Sequence, residues 1–136
     1  MSKDIATISN GTTQLVNGYS SITGDDLAAR KAIYKAVSAA VPLSDHLGKT
    51  IQLKDVIVQP VQSENEQTGE VEDYLRTTLI DADGTAYSAG SSGVASSLRN
   101  MFDVLGEPGT WPEPLPIKVV EKKGRKGFKF MSIELA

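Results

Sequence analysis

The chain contains no cysteine and a single histidine, His46. The first absence excludes disulfide staples, thiolate metal sites and cysteine nucleophiles. The second leaves no imidazole cluster for zinc, which takes several nitrogen or sulfur ligands. Aromatic residues make up only 6% of the sequence, and no apolar run approaches the roughly 18 to 20 residues of a membrane span. The opening MSKDIATISNGTTQ lacks the apolar stretch of a secretory signal, so the cytoplasm is the expected location. Neither cofactor, metal nor membrane partner is expected.

What is present fits one domain: 136 residues, 40% of them hydrophobic, with a net charge of −3. That charge is unevenly spread, with 6 basic and 10 acidic groups in residues 1–73 against 8 and 7 in residues 74–136. Glu64, Glu66, Glu70, Glu72 and Asp73 form an acidic stretch. Lys118, Lys122, Lys123, Arg125, Lys126 and Lys129 form a basic one, with Glu121 alone against them. Surface charges act over about 8–10 Å in physiological salt, so local clusters outweigh the total.

Residues 1–22 are polar and short of large apolar groups, which predicts a flexible arm ahead of one domain over 23–136. Thr23 and Asp26 form a variant capping box, and Leu27, Ile33, Tyr34, Val37 and Val41 fall near one face. This pattern predicts a helix from about Asp25 to Ala40, closed by Pro42. The period then changes. Strands are predicted at Ile51–Pro60, Tyr74–Ile80 and Thr85–Ala89, the last two joined by the DADG turn. A helix follows at Val94–Leu105, with Val94, Leu98, Met101, Phe102 and Leu105 on one face. GEPGTWPEPLP holds four of the six prolines and reads as a rigid connection. Strands at Ile117–Glu121 and Phe128–Leu135 flank the basic tip Lys122–Gly127. The order β-β-β-α-β-β predicts a mainly β fold: an OB-fold-like five-stranded barrel preceded by an N-terminal helix.

Several chemistry-like patterns have plainer explanations. DADGT lacks the third carboxylate and the distant Glu of a calcium loop, and Asp-Gly suits a hairpin turn. Gly90-Ser-Ser-Gly93 has no following Lys-Ser/Thr, so Ser91 or Ser92 is expected to cap the helix rather than hold a nucleotide phosphate. His46 has no nucleophile fixed nearby, no G-x-S-x-G occurs, and the carboxylates of residues 64–73 lack apolar surroundings. No catalytic residue can be named, and an enzyme is not expected. Trp111 is expected to plug the barrel rather than to stack with a ligand.

KVVEKKGRKGFKF differs from these, because its cations are interleaved with Phe128 and Phe130. Proteins that bind single strands combine a basic path for phosphates with rings on which bases stack. Met131, Ile133 and Leu135 share one apolar face, which sets the two phenylalanines on the other. Tyr74 and Arg76 on the second strand, and Tyr87 on the third, extend the candidate set, since strands two and three carry the ligand in OB-folds.

The runs IQLKDVIVQP, LIDADGTAY, SLRNMFDVLGEP and WPEPLPIKVVEKKGRKGFKFMSIEL resemble the single-stranded-DNA-binding proteins of phages that infect Gram-positive bacteria. The resemblance covers roughly residues 24–136, with LIDADG and VVEKKGRKGFKF its strongest motifs. It implies a small non-enzymatic protein that coats single strands during phage DNA replication in the infected cell's cytoplasm, with single-stranded DNA and replication proteins as partners. The chain stops at Ser132-Ile-Glu-Leu-Ala136 without the acidic tail of many cellular counterparts, so recruitment through such a tail is not expected. The expected contacts are Lys118, Lys122, Lys123, Arg125, Lys126, Lys129 and Arg76 for phosphates, and Phe128, Phe130, Tyr74 or Tyr87 for bases. The rival reading is a protein-interaction module, such as a phage factor that blocks a host enzyme through the same hairpin.

Overall fold

The computed structural model describes residues 18–24 and 26–136. The chain runs β1 (Tyr19–Ser20), α1 (Leu27–Ala39), β2 (Val41–Pro42), a 3-10 turn (Leu43–His46), β3 (Thr50–Glu64), β4 (Val71–Asp81) and β5 (Ala86–Ala89). It continues through α2 (Ser92–Leu105), a 3-10 turn (Pro108–Thr110), β6 (Leu115–Lys123), a 3-10 turn (Arg125–Gly127) and β7 (Lys129–Leu135). The fold is mainly β, a curled mixed sheet in the form of a half-barrel. Its order is β2-β5-β4-β3-β6-β7, with β1 also on β3. Among the described residues every pairing is antiparallel except β2 with β5. Among them too, β5 and β7 do not pair, so the sheet stays open where a closed barrel would join.

The curl begins in β3. Thr50–Leu53 pair with β6, whereas Asp55–Glu64 pair with β4, and the register shifts between Leu53 and Asp55. The extra residue, Lys54, makes a bulge that sharpens the twist and lets one strand serve both halves of the sheet. Alternation does the rest. Ile51, Leu53, Val56, Val58, Leu79, Tyr87, Ile117, Val119 and Ile133 point inward and pack on Val94, Leu98 and Phe102 of α2.

α2 starts at the expected cap: Ser91 Oγ accepts from the amides of Gly93 and Val94. The same hydroxyl donates to the Met131 carbonyl at 2.8 Å, tying the helix start to β7. Gly106, at φ 83°, ends the helix. α1 begins at Leu27, with Asp26 rather than Thr23 as its cap, accepting from the Ala29 amide at 3.0 Å. It lies on the outer face, where Ile33, Ala36, Val37 and Ala40 cover Ile57, Ile80 and Ala86.

The arm expected over residues 1–22 lies outside the described residues as far as 17. Its end is not loose: Tyr19 and Ser20 pair with Val58 and Ile57, and Tyr19 is 4% exposed. A polar neighbourhood hid a strand because one aromatic residue suffices to anchor two residues of edge pairing. The Tyr19 hydroxyl donates to Glu107 at 3.2 Å, and its ring meets Phe102 at 5.4 Å. Burial, and then the Glu107 charge, push the phenol above its ordinary range.

Tyr19→Ala should therefore cost about 3–5 kcal/mol of stability, the usual loss for a buried aromatic. Tyr19→Phe should cost roughly 1.5–3 kcal/mol through the lost charge-assisted bond. Above pH ~10 the unfolded chain gives up the phenol proton while the folded chain keeps it, so this contribution is present below that pH and fades as pH rises. Thermal melts between neutral and alkaline pH check both statements. Equal melting of wild type and Tyr19→Ala would leave β1 undocked.

Candidate nucleic-acid interface

β6 and β7 carry the basic hairpin outward from the core. Inward-facing Ile117, Val119 and Ile133 root it, and the strands pair as far as Lys123 with Lys129. Beyond them the Gly124 amide donates to the Phe128 carbonyl, and the chain turns through Lys126 at φ 62° and Gly127 at φ 80°. Left-handed backbone at a lysine costs roughly 1–2 kcal/mol, so this tip holds a cation in a conformation that glycine would adopt more readily.

Lys118, Lys122, Lys123, Arg125, Lys126 and Lys129 are all exposed. Lys129 lies 3.9 Å from Glu121, while Lys122, Lys123, Arg125 and Lys126 make no ion pair with any described residue. The register divides the set. Lys118 and Lys122 share a face with Phe130, and Lys123 sits opposite Lys129 on the other. Like charges directly across a ladder repel, and an anion between them would relieve that.

Phe128 is 71% exposed at the tip. Phe130 is 41% exposed and is held by two glycines. A methyl group at Gly93 would collide with the Met131 carbonyl oxygen and come within 2.8 Å of the Phe130 ring; one at Gly124 would stand 3.3 Å from the opposite ring edge. The ring is thus wedged between the first turn of α2 and the hairpin tip, with its remaining surface open.

On β4, Leu75, Thr77 and Leu79 turn inward, which leaves Tyr74 and Arg76 on the outer face, both half-buried. A methyl group at Gly90 would lie 3.4 Å from the Tyr74 ring. The turn Gly90–Gly93 therefore has a ring at each end, Tyr74 against Gly90 and Phe130 against Gly93. From sequence alone those glycines are turn-formers and no more. Their spacing around a capping serine is the available signal, but which rings they admit depends on strands remote in sequence. Arg76 stands opposite Gln59, whose Oε1 is buried without a hydrogen-bond partner among the described residues.

One expectation changes here. Tyr87 is 4% exposed, packed inward with His46 edge-on at 5.0 Å, so its ring is not open to a base. His46 is correspondingly a packing residue. Thr78, on the same strand as Tyr74 and Arg76, is fully buried. Trp111 is half-buried against the core: it meets Phe102 at 6.3 Å and donates to the Leu105 carbonyl at 3.1 Å. The aspartates of the DADG turn bond within or beside it. Asp81 accepts from the amides of Gln52 and Asp83, and the Thr85 amide holds the Asp83 carboxyl below its usual range. No described helix is long and apolar enough to cross a membrane.

A curled, mainly β sheet thus carries a rooted basic hairpin with open rings beside it, the combination that single-strand-binding proteins use. The comparisons narrow the class: the family model described as Phage Single-stranded DNA-binding protein matches residues 11–136, and the chain belongs to that family, a DNA-binding and non-catalytic class. No curated protein and no solved structure matches it.

The wedge gives a sharp test. Gly93→Ala should push α2 from β7 and dislodge Phe130, lowering stability by about 1–3 kcal/mol and weakening single-strand binding. Ser91→Ala removes the cap and the bond to the Met131 carbonyl but adds no atom beside Phe130; it should cost about 1–3 kcal/mol of stability and leave affinity per folded molecule nearly unchanged. Melting curves and oligonucleotide titrations on both variants separate the two effects.

Proposed function

We propose that the protein binds single-stranded DNA with little sequence preference, coating and protecting single strands during phage DNA replication in the cytoplasm of the infected bacterium. Replication proteins are then the other partners it meets. The observation that carries this reading is the pair of half-open rings, Tyr74 and Phe130, fixed at the two ends of one four-residue turn beside the unpaired cations of the hairpin. At most about 10 Å of extended chain separates Gly90 from Gly93, a distance that roughly three stacked nucleotides span at 3.4 Å each.

The open sheet is read as an OB-like barrel. In that fold the face of strands two and three, together with the loop between strands four and five, holds oligonucleotides. Here those parts are β4 with β5 and the Lys122–Gly127 tip. Phosphates are assigned to Lys118, Lys122, Lys123, Arg125, Lys126, Lys129 and Arg76, and bases to Tyr74, Phe128 and Phe130. Rings meet any base through its π-face, which accounts for tolerance of sequence.

If about three to five phosphates are neutralised, log K against log salt should slope between −2 and −3.5. A flat plot would defeat the reading, and so would equal affinity for duplex DNA, in which base faces are hidden. The double variant Lys123→Glu and Arg125→Glu should bind oligo-dT more than tenfold more weakly at low salt. Its melting temperature should equal or exceed that of the wild type, because the carboxylate introduced at position 123 would face Lys129. Phe128→Ala should cost roughly 1–3 kcal/mol of binding with no loss of stability.

A further inference from the structure

α1 occupies part of the surface along which the proposed ligand runs. Its apolar stripe covers Ile57, Ile80 and Ala86 on the outer face of β3, β4 and β5, the same face that presents Tyr74 and Arg76 farther along β4. A strand following that face past Arg76 meets the helix, which either blocks it or continues the path.

The composition of the helix argues for continuation. From Leu27 to Ser44 the chain has no acidic residue, while Arg30, Lys31 and Lys35 lie within one and a half turns of one another. Tyr34, at i+4 and i+3 from Arg30 and Lys31, is 74% exposed, and Leu27, two turns earlier, is 62% exposed. Tyr34 has the highest exposure among the large aromatic side chains described, and nothing in the packing of α1 requires it. Ala32, Lys35, Ala36 and Ala39 line a cleft against the β4–β5 turn, where Lys54, Asp55 and Asp81 stand. At 100° per residue, Tyr34 lies about 150° round the axis from that flank. The cleft side of α1 meets the turn end of β4 and β5, so the Tyr34 side is turned toward the half of the face that holds Arg76 and Tyr74.

We propose that α1 is a second contact site for the single strand, with Tyr34 stacking on a base and Lys31 meeting a flanking phosphate. The site rests on the single-strand-binding reading and lengthens it: a short oligonucleotide fills the hairpin and the Gly90–Gly93 turn, and a longer one also engages the helix. The ligand is committed by charge and shape, since exposed Lys31 one turn from an exposed ring, on a helix with no acidic residue from Leu27 to Ala39, matches a polyanion with unstacked bases.

The test compares oligo-dT of about 6 and about 16 nucleotides, lengths within the range one OB-type unit covers. Tyr34→Ala should weaken binding of the longer oligonucleotide by about tenfold, the loss of one base stack, and leave the shorter unaffected. Tyr34→Phe, which keeps the ring, should bind both like the wild type. Lys31→Glu should flatten the salt slope on the longer oligonucleotide by about 0.7. Both positions are exposed, so melting temperatures should match the wild type and folding does not confuse the result. Wild-type affinity of Tyr34→Ala and Lys31→Glu for the longer oligonucleotide overturns the α1 site. The hairpin double variant run alongside tells the two ideas apart: its loss of binding with intact α1 variants removes only the helix contact, whereas a wild type that shows no salt-sensitive binding removes both.

Discussion

The shape of the molecule depends on one irregularity, the bulge at Lys54. Every sheet twists, but the extra residue bends Thr50–Glu64 more sharply at that point. With it, the first four residues turn to join β6 and the remainder stays with β4, so Leu53 is paired on both sides, with Leu115 and with Asp81. That bend brings the β6–β7 hairpin round toward the start of α2. The contact is then locked by Ser91 on the Met131 carbonyl at 2.8 Å and by Ser97 and Ser132, whose hydroxyls lie 2.6 Å apart. Tyr74 and Phe130 come from strands that are far apart in sequence, and this curl brings both to one turn.

Charge is sorted along the same geometry. The β3–β4 hairpin extends as a long arm whose end carries Glu64, Glu66, Glu70, Glu72 and Asp73, all exposed. The β6–β7 hairpin carries the cations. In an OB-like arrangement both hairpins border the ligand face, and here they have opposite sign. Under the proposed reading a polyanion is attracted at the basic border and repelled at the acidic one. The modest total charge of −3 conceals this, and screening over about 8 Å keeps the two borders electrically separate.

Much of this is legible in the sequence, for reasons that particular residues make clear. α2 carries a long amphipathic stripe, and β6 and β7 alternate over enough residues to fix which face turns inward; hence Phe130 lies opposite Ile133 as expected. β5 has four residues, too few alternations to fix its phase alone. Local pattern turns Tyr87 outward, and the register against Leu79 turns it inward. Tyr19 sits in a polar stretch with no period at all, and its role follows from Glu107 and Phe102, which no local pattern could anticipate. The open edge between β5 and β7 is likewise a matter of curvature, and element order alone does not specify curvature.

Phe130 shows what the curl achieves at the scale of one side chain. An aromatic ring that is to stack on a base must leave one surface open, and an open ring on a hairpin would ordinarily be free to rotate and would lose that freedom on binding. Here Gly93 and Gly124 admit the ring edge from two sides, 2.8 Å and 3.3 Å from where a methyl group would stand. Neither glycine is at a positive φ, so backbone conformation does not demand them; the space for the ring does. The entropy of fixing the side chain is therefore lost on folding, where the core of β7 and α2 offsets it, rather than on binding. Phe128, two residues nearer the tip and 71% exposed, has no such support. For the proposed single-strand ligand the hairpin thus offers one ring already fixed and one free to adapt, a division suited to a backbone that is regular in charge and irregular in path.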